Sequence, residues 1–115
     1  KMGFKDNFNE ESRIHESNKI ILRYPTRIPV IVEKQENCTF KGINKNKYLV
    51  PKDMCMNQFI FIIRKRIQLD ASQSLFVMIN NQLSPSNIPL GEIYEKQKDK
   101  DGFLYMTYTS ENTFG

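Results

Sequence analysis

The chain has 115 residues, of which 39% are hydrophobic and 26% charged, and its formal net charge is +4. This length suits one domain with one modest core. No apolar run approaches the roughly 20 residues of a membrane span, and no signal peptide opens the chain, so a cytoplasmic protein is expected. Two cysteines and one histidine are too few for a disulfide scaffold or a zinc site. No metal, cofactor or catalytic residue is expected, because no base–nucleophile pair is visible.

Positive charge is concentrated in Lys41, Lys45, Lys47 and the basic run at residues 64–66. Such a surface permits acidic peptides, anionic headgroups or nucleic acid as partners. A nucleic-acid domain would need aromatic side chains interleaved with these cations on one exposed face. Here the basic residues cluster on a loop and at a helix end, so nucleic acid is not expected as a partner.

The first part of the chain predicts a helix followed by a strand. Residues 7–23 are polar with sparse apolar positions at helical spacing, and Tyr24-Pro25 ends the segment. Residues 28–33 are rich in β-formers, with Ile28, Val30 and Val32 on one face. Pro29 and Ile31 occupy the opposite face. Because Pro29 lacks an N–H, it should start the strand or lie where no ladder donor is required.

The middle of the chain predicts a polar loop, a short strand and the main helix. Residues 35–46 form the loop, and residues 47–50 form the strand, which Pro51 closes. Residues 56–67 carry the strongest helical period in the chain. Phe61 and Ile62 lie off its apolar stripe, which predicts a second contact or a groove on this helix.

The last part predicts a buried strand over residues 75–79, a turn at Asn80-Asn81, a short helix over residues 90–96 and a final strand over residues 103–108. In the final strand, one face carries Leu104, Met106 and Tyr108. The opposite face carries Phe103 and Tyr105. The order of elements after residue 25 predicts an α+β protein of the β-grasp type. Its sheet would be mixed and four-stranded, with one main helix.

The printed chain ends on a short polar segment that closes with Phe114-Gly115. A terminal carboxylate with no Cβ beside it fits a narrow channel in another protein, where it can be activated. Such an end is typical of a ubiquitin-like modifier.

Five ordered blocks strengthen this interpretation: residues 24–34 (YPTRIPVIVEK), 47–51 (KYLVP), 58–67 with QF and IRKRI, 99–105 (DKDGFLY) and 111–115 (ENTFG). With them the chain resembles the autophagy ubiquitin-like modifiers, the family of GABARAP and microtubule-associated protein light chain 3. The resemblance implies a ubiquitin-like fold with two extra N-terminal helices. Residues 1–24 would form the helical subdomain, and residues 25–115 the ubiquitin-like domain with a flexible C-terminal tail.

The resemblance also implies how the protein is used. A thiol protease trims the chain after Gly115, and activating and conjugating enzymes pass that residue to phosphatidylethanolamine. Phe114 would be the side chain that the protease and these enzymes read. The product would be a lipid-anchored peripheral protein of the autophagosome or a related vesicle membrane, and a monomer in solution. The alternative is an unconjugated ubiquitin-like module that binds peptides in vesicle or microtubule-linked trafficking.

Members of this family bind short linear motifs of the form aromatic-x-x-aliphatic in cargo receptors and autophagy proteins. Here the matching positions imply two pockets and a basic rim, and outward apolar residues on two strands have no other explanation in the sequence. The aromatic pocket would contain Glu16, Ile20, Pro29, Ile31, Lys45, Lys47, Leu49 and Phe103. The aliphatic pocket would contain Tyr48, Val50, Pro51, Met54, Phe59, Ile62 and Ile63, and the rim would contain Arg27 and Arg66.

The chain departs from the family pattern at three places. Residues 54–57 (MCMN) replace a leucine-threonine-valine-glycine type of segment, so Asp53 or Cys55 must begin the main helix without a threonine cap. Asn9-Glu10 stands where many relatives have Pro-Phe. Ile21-Leu22 replaces basic residues, which weakens the case for tubulin binding through the N-terminal helix.

Overall fold

A computed structural model describes residues 3–110 of the chain. The order of elements matches the predicted order with two additions, a second helix at the N-terminus and a two-residue strand after the turn at residues 80–81. No helix among the described residues is long and apolar enough to cross a membrane. The elements are α1 (Phe4–Asn7), α2 (Glu10–Arg23), β1 (Arg27–Lys34), β2 (Lys47–Pro51), α3 (Met56–Arg66), β3 (Phe76–Ile79), β4 (Gln82–Leu83), α4 (Leu90–Gln97) and β5 (Leu104–Thr109).

The described strands form one mixed sheet in the order β2-β1-β5-β3-β4. β1 and β5 pair in parallel at its centre, and the other neighbours are antiparallel. The predicted β-grasp is confirmed, but the count of four strands was one short. Asn80 and Asn81 both have positive φ (53° and 63°), which makes a tight hairpin turn and sets the two-residue β4 against the end of β3.

The inner face of the sheet packs against α3 and α4, as the predicted periodicity requires. Ile28, Val30 and Val32 of β1 all lie in the main core with Phe59 and Ile63 of α3. The side chains of β5 alternate as expected, so that three of them join this core. Those three are Leu104, Met106 and Tyr108.

The outer face carries the two N-terminal helices. The helix predicted over residues 7–23 is present as α2 but begins only at Glu10, because the chain leaves α1 at Phe8 and starts a new helix after Asn9. The side-chain oxygen of Asn9 accepts a hydrogen bond from the N–H of Ser12 (2.8 Å), which caps α2 and separates it from α1. The two extra helices implied by the family resemblance are therefore present.

The main helix begins without a hydroxyl cap, as the sequence predicted. Cys55 is its N-cap, and the side chain of Gln58 reaches back to accept the N–H of Cys55 (2.9 Å). The carbonyl of Ser86 accepts the N–H of Asn57 (3.0 Å). A neighbouring loop thus satisfies a first-turn donor that a threonine would otherwise take.

Candidate peptide-binding groove

The outer edge of β2 has no neighbouring strand among residues 3–110. The N–H of Val32 donates to the carbonyl of Asn46 (2.8 Å), and this bond sets the phase of the β1–β2 ladder. Because bonded pairs alternate in an antiparallel ladder, Tyr48 bonds β1 while Lys47 and Leu49 direct their backbone groups outward. The sheet therefore offers a short row of backbone donors and acceptors to an added strand.

Two residues of β1 shape this edge. Pro29 lies opposite Leu49 in a non-bonded pair, so its missing N–H costs the ladder nothing on this side. The pairing of β1 with β5 begins only at Val30, one residue after Pro29. The guanidinium of Arg27 donates to the outward carbonyl of Leu49 (3.0 Å), so one edge acceptor is engaged by the basic rim.

The outer-face half of the predicted site is assembled but largely covered. Pro29 is buried and Ile31 and Phe103 are each 0% exposed, although all three face outward from the sheet as predicted. Phe4 packs on Phe103 with ring centroids 5.1 Å apart. The expectation that only a peptide pocket explains these apolar residues was wrong, because α1 and α2 bury them.

The accessible part of this half is its margin. Ile20 and Leu49 are partly exposed, and the ammonium of Lys47 forms an ion pair with the carboxylate of Glu16 across the space between β2 and α2. The ammonium of Lys45, which was also predicted to line this half, sits 5.0 Å from the ring centroid of Tyr48.

The inner-face half of the predicted site divides into core and surface. Tyr48 packs edge-on against Phe59 (5.5 Å), and both are buried in the main core. Val50 and Ile63 are buried there too, so these four residues form a floor. The partly exposed residues above that floor are Pro51, Met54 and Ile62.

The basic rim continues on this inner-face side. Arg66 is exposed and close enough to Tyr48 to lower the pKa of its hydroxyl, but burial outweighs this effect and raises that pKa overall. The hydroxyl of Tyr48 is buried and has no hydrogen-bond partner among the described residues. Phe61, predicted to make a second contact, is instead 58% exposed with the ammonium of Lys65 4.9 Å from its ring.

One buried carboxylate that no sequence pattern indicated holds α2 in place. Asp101 is 1% exposed and accepts hydrogen bonds from the guanidinium of Arg13 (2.5 Å) and the N–H of Phe103 (2.8 Å). The hydroxyl of Ser17 on α2 donates to the carbonyl of Asp101 (2.6 Å). Nothing in the sequence pattern around residues 101–102 linked this carboxylate to α2.

Phe114 and Gly115, the predicted recognition and conjugation residues, lie outside the described residues. The described part of the final strand ends at Thr109, beside the start of β3 and the end of β1. The opposite end of the sheet carries the accessible part of the aliphatic pocket.

A mixed sheet that holds one long helix on its inner face and two N-terminal helices on its outer face defines a ubiquitin-like protein with a helical extension. The family model described as "Autophagy protein Atg8 ubiquitin like" matches residues 12–115. The chain therefore belongs to the Atg8 family, and it is a ubiquitin-like modifier of autophagy. The resemblance stated from the sequence is confirmed.

Individual relatives agree with this assignment. The chain is 50% identical over 115 residues to autophagy-related protein 8a of Arabidopsis thaliana, covering 100% of this chain and 94% of the relative. It is 49% identical over 112 residues to protein 8h of the same plant, covering 97% and 94%. The crystal structure of Trypanosoma brucei ATG8 superimposes with a TM-score of 0.91 at 42% identity, covering 100% of this chain and 99% of that one.

Proposed function

We propose that the free edge of β2 receives an extended peptide with the pattern aromatic-x-x-aliphatic. The observation that carries this proposal is that Lys47 and Leu49 direct their backbone donors and acceptors outward from the sheet. This edge lies between the outer face, which α2 covers, and the inner face, which α3 covers. Side chains at positions i and i+3 of a strand point to opposite faces. A strand added here therefore sends one side chain toward α2 and the other toward α3, where Pro51 and Met54 lie partly exposed.

The direction of the bound peptide follows from the two margins. The outer-face margin lies beside Lys47 at the start of β2, and the inner-face margin lies beside Pro51 at its end. A peptide whose aromatic residue precedes its aliphatic residue then runs parallel to β2. Backbone hydrogen bonds to the edge supply affinity, and the two margins supply specificity.

Entry of the aromatic ring requires a local adjustment. Ile31 and Phe103 are covered in the free protein, so the ring must part Ile20 from Leu49 to reach them. The Glu16–Lys47 ion pair lies across this entrance and is partly exposed, so opening it costs little, about 0–1 kcal/mol. Acidic residues beside the motif would take the place of Glu16 in this ion pair, and they would speed the encounter of the peptide with the basic rim.

A peptide-binding measurement tests the groove. Leu49→Ala removes a side chain from the outer-face margin. It should weaken binding of an aromatic-x-x-aliphatic peptide about tenfold or more, equivalent to about 1.4 kcal/mol. Leu83→Ala is the matched control, because it makes the same change on an exposed leucine of β4, at the other side of the sheet. Calorimetry in which both variants bind like the parent would remove the groove from this edge.

The same proposal covers attachment to a membrane. Gly115 would be joined by an amide to phosphatidylethanolamine, and partner enzymes would supply the cysteines that carry it through adenylate and thioester stages. The chain would then be the group acted upon rather than the catalyst. Two lipid acyl chains hold a protein on a bilayer far better than one, because each buried CH₂ contributes about 0.8 kcal/mol.

Mass spectrometry of the protein from cells tests the attachment. The parent protein should yield a C-terminal peptide that carries phosphatidylethanolamine. The Gly115→Ala variant should lose that adduct while its binding of motif peptides stays intact. An adduct that persists in the variant would contradict conjugation through this residue. A protein that binds peptide but never acquires the lipid would support the alternative of an unconjugated module.

A further inference from the structure

The inner-face margin of the proposed groove contains a side chain that can be chemically modified. This margin consists of Pro51, Met54 and Ile62, the three partly exposed residues above the core floor. Met54 also packs against the main core. Its thioether is the one group in the margin whose polarity an oxidant can change under mild conditions.

Exposure distinguishes Met54 from the other methionines at described positions. Met56, Met78 and Met106 are 1%, 5% and 1% exposed, whereas Met54 is partly exposed. An oxidant must reach the sulfur atom before it can react, so oxidation selects accessible methionines. A mild oxidant should therefore modify Met54 before it modifies the three buried residues.

Backbone hydrogen bonds hold Met54 at the margin. Its N–H donates to the carbonyl of Pro51 (3.1 Å), and its carbonyl accepts the N–H of Leu90 (2.8 Å). Leu90 is 0% exposed and begins α4. Because both backbone groups of Met54 are engaged, a modified side chain stays beside the groove and acts on it directly.

Oxidation would change the polarity of the margin while leaving the chain intact. Hydrogen peroxide transfers one oxygen atom to the thioether sulfur: the O–O bond breaks, an S–O bond forms, and the peroxide is reduced to water. The product, methionine sulfoxide, is a polar side chain in place of a flexible apolar one. An aliphatic peptide side chain packed on it would cover a polar oxygen, and neither Pro51 nor Ile62 has a side-chain donor to pair with that oxygen.

We propose that Met54 is a site of reversible oxidation that controls binding of the aliphatic residue of the motif. The sulfoxide form keeps the outer-face margin but loses affinity for the aliphatic side chain. A methionine sulfoxide reductase reverses the change, removing the oxygen as water while two thiols become a disulfide. This inference rests on the peptide groove proposed above and adds redox regulation to it. It also gives a functional explanation for the methionine that replaces the leucine of the family pattern.

Calorimetry before and after treatment with hydrogen peroxide tests the proposal. A Cys55→Ser background removes the neighbouring, partly exposed thiol and supplies a preferred helix cap. Peptide mass spectrometry should first find the sulfoxide at Met54 with the buried methionines unmodified. The treated protein should bind an aromatic-x-x-leucine peptide about fivefold more weakly, a cost at the low end for covering an unpaired polar group, because the margin is open to solvent.

The same measurement with a second peptide separates this effect from general damage. A peptide with alanine in place of the motif leucine makes little contact with the inner-face margin. Its affinity should therefore be the same before and after treatment. Methionine sulfoxide reductase should restore the affinity for the leucine peptide.

Two variants identify the methionine responsible. Met54→Leu removes the sulfur and keeps an apolar side chain of similar volume, so its affinity for the leucine peptide should not respond to peroxide. Met56→Leu is the matched control, because it makes the same substitution on a methionine that is 1% exposed. This variant should keep the fivefold loss.

Several outcomes would overturn the proposal while leaving the groove intact. These are a sulfoxide at Met54 without loss of affinity, a loss of equal size in Met54→Leu, oxidation of the buried methionines as fast as Met54, and a loss that the reductase does not restore. Equal affinity of the untreated protein for the leucine and alanine peptides would instead contradict the groove, and the oxidation proposal with it.

Discussion

The two faces of the sheet are held by different kinds of interaction. On the inner face, α3 and α4 close an apolar core in which buried aliphatic and aromatic side chains pack continuously from β2 to β3. On the outer face, the fully covered apolar cluster is small, consisting of Phe4, Ile31 and Phe103. Much of the attachment there is polar, through Asp101 and its partners on α2.

This difference has a structural consequence. Apolar packing is not directional, and it stabilises the domain in proportion to the area that it buries. Hydrogen bonds to a buried carboxylate are directional, so they fix where α2 sits on the sheet. α2 supplies Glu16 and Ile20 to the proposed groove, so a small polar network sets the width of its outer margin.

The largest effect is expected for Phe59→Ala on the inner face. Phe59 is 1% exposed and contacts the ring of Tyr48, so truncation leaves a cavity and should lower the free energy of unfolding by about 3–5 kcal/mol. Urea denaturation measures this change. Phe61→Ala is the control on the same helix, because Phe61 is 58% exposed, and it should change stability by no more than about 0.5 kcal/mol. Similar losses from both would mean that α3 does not bury a defined face.

A smaller and more local effect is expected for Asp101→Asn on the outer face. The substitution keeps the shape of the side chain but leaves the Arg13 guanidinium, 11% exposed, without its counter-charge, which should cost about 3 kcal/mol. Hydrogen exchange should speed up in α1 and α2 while amides of α3 keep their protection.

Asp53→Asn controls for the chemical change, because Asp53 is exposed and has no ion pair among the described residues. It should leave exchange unchanged. If Asp101→Asn accelerates exchange equally in α2 and α3, the two faces unfold as one unit and the contrast between them fails.

Elements whose period shows in the sequence were predicted well. The apolar repeat of α3 identified a helix over residues 56–67, against the observed Met56–Arg66, and alternation assigned both faces of β1 and β5. These patterns are local, so they survive without knowledge of the neighbours. The two-residue β4 has no pattern of its own and exists only through the turn before it.

The parts of the candidate site that were missed depend on distant segments. The Arg13–Asp101 pair joins residues 88 positions apart, and Phe4 caps Phe103 from the other end of the chain. No periodicity reports such contacts. The contact of Lys45 with the ring of Tyr48 could not be predicted for a related reason: Lys45 lies in an irregular loop, where neighbouring positions do not alternate between faces.

The smallest effect is expected at alkaline pH, and it concerns Tyr108 in the core on the inner face. Tyr108 is 0% exposed, and burial raises the pKa of its hydroxyl to about 12, while that hydroxyl donates to the carbonyl of Lys41 (2.8 Å). An unfolded tyrosine has a pKa of about 10. The folded state therefore keeps a proton that the unfolded state loses above pH 10, so the contribution of Tyr108 to stability is constant below that pH and falls as the pH rises toward 12.

Tyr108→Phe should lower the free energy of unfolding at neutral pH by about 1 kcal/mol, because a hydrogen bond is lost. It should also make the free energy of unfolding fall less steeply above pH 10, because the variant lacks the buried hydroxyl of Tyr108. Tyr24→Phe is the control, since Tyr24 is 39% exposed. Urea midpoints between pH 8 and 11 measure both slopes. Because burial also raises the pKa of Tyr105 on the outer face, Tyr105→Phe should flatten the decline too, and an unchanged slope in both buried variants would contradict this origin of alkaline sensitivity.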